Sequence, residues 1–172
     1  MNSKHIRKTV LTGLFAALAC VSTLIIHIPT VTKGYVNLGD CIVNISAWVL
    51  GPAYGAAASG IGSALADIIS GYAVYAPATL VIKALMAAVS AVVFFAVRKH
   101  KRGAFACVAA SLAAEVIMCL GYFAFEGVLY HSFAAAALGI SANIAQGAMG
   151  MIASTALYEV LVKHIDIRAI NR

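Results

Sequence analysis

Residues 34–71 read GYVNLGDCIVNISAWVLGPAYGAAASGIGSALADIISG. Two apolar runs, 38–50 and 53–71, are divided by Gly51 and Pro52, a pair suited to a tight turn. Asp40, Asn44 and Asp67 lie within these runs. A carboxylate in an apolar helix is costly unless it is paired or lines a wet cavity. What these residues do therefore depends on what surrounds the chain.

Composition settles the surroundings. Of 172 residues, 63% are apolar and only 10% are charged, and the mean hydropathy is +0.96. That is too little polar material to coat a soluble globule of this size. The sequence predicts an all-α integral membrane protein forming one domain over 1–172. A bilayer core of about 30 Å takes roughly 20 helical residues per crossing, and six stretches qualify: 8–28, 38–50, 53–71, 79–97, 104–125 and 140–163. The second would reach only about 20 Å, so it is expected to be re-entrant or to border a cavity.

The net charge of +6 does not point to nucleic acid. Lys4, Arg7 and Lys8 precede the first stretch, Arg98, Lys99, Lys101 and Arg102 fill the turn before the fifth, and Lys163, Arg168 and Arg172 close the chain. With six crossings all of these fall on one side, which predicts both termini in the cytoplasm. Lys33 alone would lie in an outer loop, and Lys83 alone inside a helix. The first stretch is read as a retained helix, because the apolar run continues through Ile26 without a cleavage pattern.

Negative signals bound the chemistry. The segment 55–67, GAAASGIGSALAD, has glycines but no lysine of a nucleotide-binding loop. The histidines at 5, 27, 100, 131 and 164 form no metal motif, and Cys20, Cys41, Cys107 and Cys119 have no metal or redox spacing. The sequence therefore predicts no enzyme, no cofactor and no metal.

Polar residues inside the helices carry the functional signal. Asp67 and Lys83 are expected at similar depth, placed either to pair or to meet a ligand. Asp40 and Asn44 share a face at the outer end of the second stretch, where Asp40 is expected to cap the helix. Asn143 and Gln146 share a face of the sixth stretch, and Glu115 sits at mid-membrane. With Tyr35, Asn37, Tyr75 and Tyr122 they predict a polar pocket opening outward. Small residues form two stripes. That on 55–66 is expected to pack internally, and Gly13, Ala16, Ala17 and Cys20 are expected to meet either a neighbouring helix or a partner protein.

The stretch GYVNLGDCIVNISAWVLGPAYGAAASGIGSALADIISGYAVYAPATLVIKALMA, 34–87, resembles the substrate-binding S components of energy-coupling factor (ECF) vitamin transporters. Its N-L-G-D turn, L-G-P-x-x-G hinge, G-x-G-S-A-x-A-D segment and Y-x-P-A-T-x-x-I-K run are similar to the riboflavin-type subgroup, which includes pyridoxine and hydroxymethylpyrimidine proteins. The resemblance implies a vitamin-binding subunit working with a transmembrane T-component and two cytoplasmic ATPases. It implies that Tyr35, Val36 and Asn37 cover the substrate and that the small residues of the first helix meet the T-component. The carboxylates and amides suit vitamin B6 or hydroxymethylpyrimidine ahead of riboflavin. A stand-alone secondary or proton-coupled carrier using Asp67, Lys83 and Glu115, or a purely structural subunit, are the rival expectations.

Overall fold

A computed structural model describes residues 3–29, 35–100 and 103–164. Lys33, Lys101, Arg102, Arg168 and Arg172 of the charge argument lie outside the described residues, as do Gly34 and the side chains of Lys4 and Lys163. The elements are α1 (Ser3–Ile25), β1 (His27–Pro29), β2 (Tyr35–Asn37), α2 (Gly39–Leu50), α3 (Pro52–Ile69), α4 (Ala76–Arg98), α5 (Gly103–Leu129), α6 (Phe133–Ala137) and α7 (Ile140–His164).

The shortest of the six long helices is the most enclosed. Helix α2 buries all of its residues except Ile42 and packs against α1, α3, α4 and α7. Val43, Ile45, Ala47 and Trp48 form the middle of the apolar core with Met86, Phe94 and Met118. Trp48 stacks on Phe94 with centroids 5.3 Å apart and meets Tyr158 edge-on. A helix wrapped on all sides has no lipid to span, which accounts for its 12 residues. Its polar end starts at the cavity described below.

Glycine sets the joint between α2 and α3. Gly51 has φ +83° and Pro52 opens α3, so the chain reverses within one residue. Gly55 then lets α3 close on α2, since a Cβ there would lie 2.8 Å from Ala47 Cα. Helix α3 ends in a Schellman arrangement: Tyr72 N–H donates to Asp67 O at 2.8 Å and Gly71 N–H to Ile68 O at 3.3 Å, with Gly71 at φ +83°. That turn places Tyr72 beside Tyr35 and Tyr75.

Among the described residues, four helical stretches are long and apolar enough to cross a membrane: His5–Ile25, Ala76–Arg98, Gly103–Leu129 and Phe133–Val162. Several expected boundaries move. Helix α1 stops at Ile25 rather than at 28, because the chain turns into an antiparallel hairpin that pairs His27 with Asn37 and Pro29 with Tyr35. Helix α4 begins at Ala76, three residues before the expected start, since Pro77 is tolerated in a first turn. Helix α5 runs on to Leu129, and α6 follows, with Ser132 capping Ala135 N–H at 3.2 Å. These extensions bring Glu126 to the site.

Candidate functional site

The hairpin and the ends of α1, α3, α4, α5 and α7 line a cavity of about 40 Å³. That is room for a few water-sized groups beyond contact with the walls. Its lining includes Tyr35, Asn37, Asp67, Tyr75, Lys83, Tyr122, Asn143 and Gln146, so eight of the ten residues expected at a pocket share one space. Asn44 and Glu115 lie deeper. Asn44 Oδ1 accepts from Ser90 Oγ at 2.7 Å, and Ser90 accepts from Trp48 Nε1 at 3.0 Å. The Glu115 carboxylate is buried beside the Asn44 amide without a well-formed hydrogen bond. It rests against Gly147, where a Cβ would stand 2.9 Å from Glu115 Oε2.

The ionic pairing differs from the expected one. Lys83 joins Asp40 in a fully buried ion pair, not Asp67. Helix α2 stands beside α4 and offers Asp40 at the depth of Lys83. Asp40 also does not cap its helix: Leu38 occupies the N-cap and no side chain caps it. The carboxylate instead points sideways and takes Gln146 Nε2 at 2.6 Å. Asp67 receives the Tyr35 phenol. Burial first, and then this bond, hold the Tyr35 phenol well above its usual range, so it serves as a neutral donor.

The floor is built from few groups that are heavily used. Lys83 Nζ reaches Asp40 and Met118 Sδ, the latter at 3.4 Å, and lies 5.7 Å from the centre of the Tyr122 ring. An ammonium has three donors, so one remains for whatever enters the cavity. Thr79 Oγ1 and Tyr122 OH are 3.0 Å apart. At the mouth Tyr75 OH meets Glu126 Oε1 at 3.3 Å and also Tyr130 OH. Ring contacts run from Tyr35 through Tyr72 and Tyr75 to Phe125. The wall is thus aromatic at the rim and ionic at the base.

A family model described as the S component of an ECF-type riboflavin transporter matches residues 3–163. The chain belongs to this S-component family. The S component is 34% identical over 146 residues, 84% of its length and 95% of the relative's, to a Pyrococcus woesei protein described as an uncharacterized protein in the gap 3′ region. Its fold matches a solved structure of the S component of a bacterial ECF transporter, with a TM-score of 0.66 and 18% identity, covering 92% of this chain and 97% of that one. It is accordingly a membrane-embedded, substrate-binding subunit of an ECF importer, and membership implies a T-component and ATPase subunits as partners.

The S component's first helix divides its stripe of small residues. Ala16 turns inward: a Cβ on Gly62 of α3 would collide with its carbonyl and come within 2.9 Å of Ala19 Cβ. Gly13 and Ala17 are exposed, alongside Val10, Leu14, Leu18 and Val21. Cys20 is half-buried.

Four polar lining residues were not anticipated from sequence: Thr23, Ser63, Thr79 and Glu126. Helical spacing carries the signal for three of them. Ser63 is one turn before Asp67, Thr79 lies midway in the series Tyr75, Thr79, Lys83, and Glu126 is one turn beyond Tyr122.

Proposed function

We propose that this S component captures a small water-soluble vitamin from outside the cell, in a cavity closed by the β1–β2 hairpin, for ATP-driven import. The observation that carries the reading is the polar cavity: a lysine, two carboxylates, amides and phenols line one space inside an apolar helical protein. Such a set offers donors and acceptors to a ligand that is removed from water. Tyr35, Asn37, Asp67, Tyr75, Lys83, Tyr122 and Asn143 are assigned to the vitamin. Glu115 and Asn44 support these groups from behind, and Gln146 does so from the cavity wall.

The lining of carboxylates, amides and phenols favours a small ring rich in hydrogen-bonding groups, of the vitamin B6 or hydroxymethylpyrimidine kind. Riboflavin is the second reading, favoured by the description of the family. In this proposal one domain crosses the prokaryotic cytoplasmic membrane six times, with α2 as an internal crossing and both termini in the cytoplasm. The exposed face of α1 around Gly13, Ala17 and Cys20, with Ala16 partly behind it, meets the T-component.

The deciding experiment is thermal stabilisation of the purified protein by pyridoxine, pyridoxal, pyridoxamine, hydroxymethylpyrimidine, thiamine and riboflavin. A ligand at a hundred times its dissociation constant adds about 2.7 kcal/mol. A shift with one compound, lost in Lys83→Met and Asn143→Ala, names the vitamin. Absence of any shift across the panel refutes the vitamin reading.

A further inference from the structure

Gln146 has four hydrogen-bonding positions, and the protein uses all four. Its Oε1 accepts from the backbone N–H of Asn37 at 2.9 Å and from Asn37 Nδ2 at 3.2 Å. Its Nε2 donates to Asp40 Oδ2 at 2.6 Å and lies 3.2 Å from Met118 Sδ. Nothing on this side chain remains for a ligand.

The direction of the amide is set from both ends. A backbone N–H only donates, so the Gln146 carbonyl must face Asn37. An ionised carboxylate only accepts, so the Gln146 amino group must face Asp40. Asp40 is fully buried and its other oxygen takes Lys83. Asn37 Oδ1 accepts from Gly39 N–H at 2.8 Å, which completes the chain. Every donor along it points toward Asp40.

We propose that Asp40 is a positioning residue: its acceptor-only carboxylate orients Gln146, and Gln146 in turn latches the β1–β2 hairpin over the cavity. The functional meaning rests on the reading that this hairpin covers the vitamin. The groups that meet the latch come from four elements, namely Asn37 of β2, Asp40 of α2, Lys83 of α4 and Gln146 of α7, with Met118 of α5 beside them.

The proposal predicts an unusual result for an isosteric change. In Asp40→Asn the introduced carbonyl is claimed by Lys83, which only donates. The introduced amino group then faces Gln146 Nε2, donor against donor, so Gln146 turns over and presents its own amino group to the Asn37 N–H. The latch opens although no volume has changed. Adding Lys83→Met frees the introduced carbonyl to accept from Gln146, and the latch closes again.

Amide hydrogen exchange on the vitamin-free protein in nanodiscs reads this at Asn37. Exchange there is expected to rise on the order of tenfold in Asp40→Asn, the equivalent of one lost hydrogen bond, and in Gln146→Leu. Amides in the middle of α3 are expected to stay at the wild-type rate. Asp40→Asn/Lys83→Met is expected to restore wild-type protection, and Asp40→Leu/Lys83→Met, equally neutral but without an acceptor, is not. Should Asp40→Asn fail to fold, the two neutral double variants still decide the matter. Equal exchange at Asn37 in both double variants, or wild-type exchange in a folded Asp40→Asn protein, overturns the proposal. The readout uses no vitamin, so failure of the substrate assignment is scored separately, by binding of pyridoxine and riboflavin to the wild-type protein.

Discussion

Asp40 and Lys83 are 43 residues apart in sequence and form an ion pair with neither side chain open to water. Removing one member leaves a buried charge without its counter-charge, a loss worth about 3–5 kcal/mol. Lys83→Met is therefore expected to lower the melting temperature sharply. Asp40→Asn/Lys83→Met should recover much of the loss, which thermal unfolding of the detergent-solubilised protein measures directly.

The Tyr35 phenol supplies a pH dependence with a definite sign. Its ordinary ionisation is near 10, and burial together with the bond to Asp67 raises it in the folded protein. Above pH 10 the native state then holds a proton that the unfolded chain has released. Stability is intact below that pH and declines as pH rises past about 10. Tyr35→Phe should flatten that part of the melting profile, and an unchanged alkaline slope in the variant would place the dependence elsewhere.

Gly147 and Gly150 let two carboxylates lie against α7. A Cβ at Gly147 would stand 3.0 Å from Glu115 Cγ, and one at Gly150 would stand 2.7 Å from Asp40 Cβ. Alanine at either position should cost about 1–3 kcal/mol, in the manner of an overpacked core. The Gly150 variant should also weaken vitamin binding by disturbing Asp40. Comparing melting temperature with vitamin affinity for the two variants separates these effects.

At Gly62 the neighbour is backbone, the carbonyl of Ala16, which cannot swing aside. Gly62→Ala is expected to push α1 from α3 and to reduce the yield of folded protein. Gly13→Ala meets nothing within 4 Å, so its melting temperature should match wild type. Any effect of Gly13→Ala on ATP-driven uptake would then come from contact with a partner.

Asn143 lines the cavity, and its amide is not part of the latch. Asn143→Ala should lower vitamin affinity by about tenfold, the worth of one hydrogen bond, with little change in the melting temperature of the empty protein. Titration calorimetry with the vitamin identified by the stabilisation panel tests this.

Much of the bundle can be read from the chain, because apolar length and punctuation by Gly51, Pro52 and Gly71 are local signals. The identity of the lining residues is partly legible for the same reason, since Tyr75 and Lys83, or Asn143 and Gln146, share a helical face. Partners are not local. Nothing in the spacing of Asp40, Asp67 and Lys83 says which carboxylate the lysine takes, because that depends on how α2 is enclosed by α3, α4 and α7. The hairpin escaped notice because its strands are only three residues each. Glu126 escaped because α5 continues past the expected membrane edge.

The enclosure of α2 also bears on how the protein is made. Twelve residues headed by Gly39 and Asp40 make a poor insertion signal by themselves, so α2 is expected to enter the bilayer together with α3, as a hairpin folded at Gly51. Its acid then waits for Lys83, which the ribosome delivers only with α4, and for Gln146, which arrives with α7. Assembly of this subunit is then expected to be ordered, with the segment at its centre settling last.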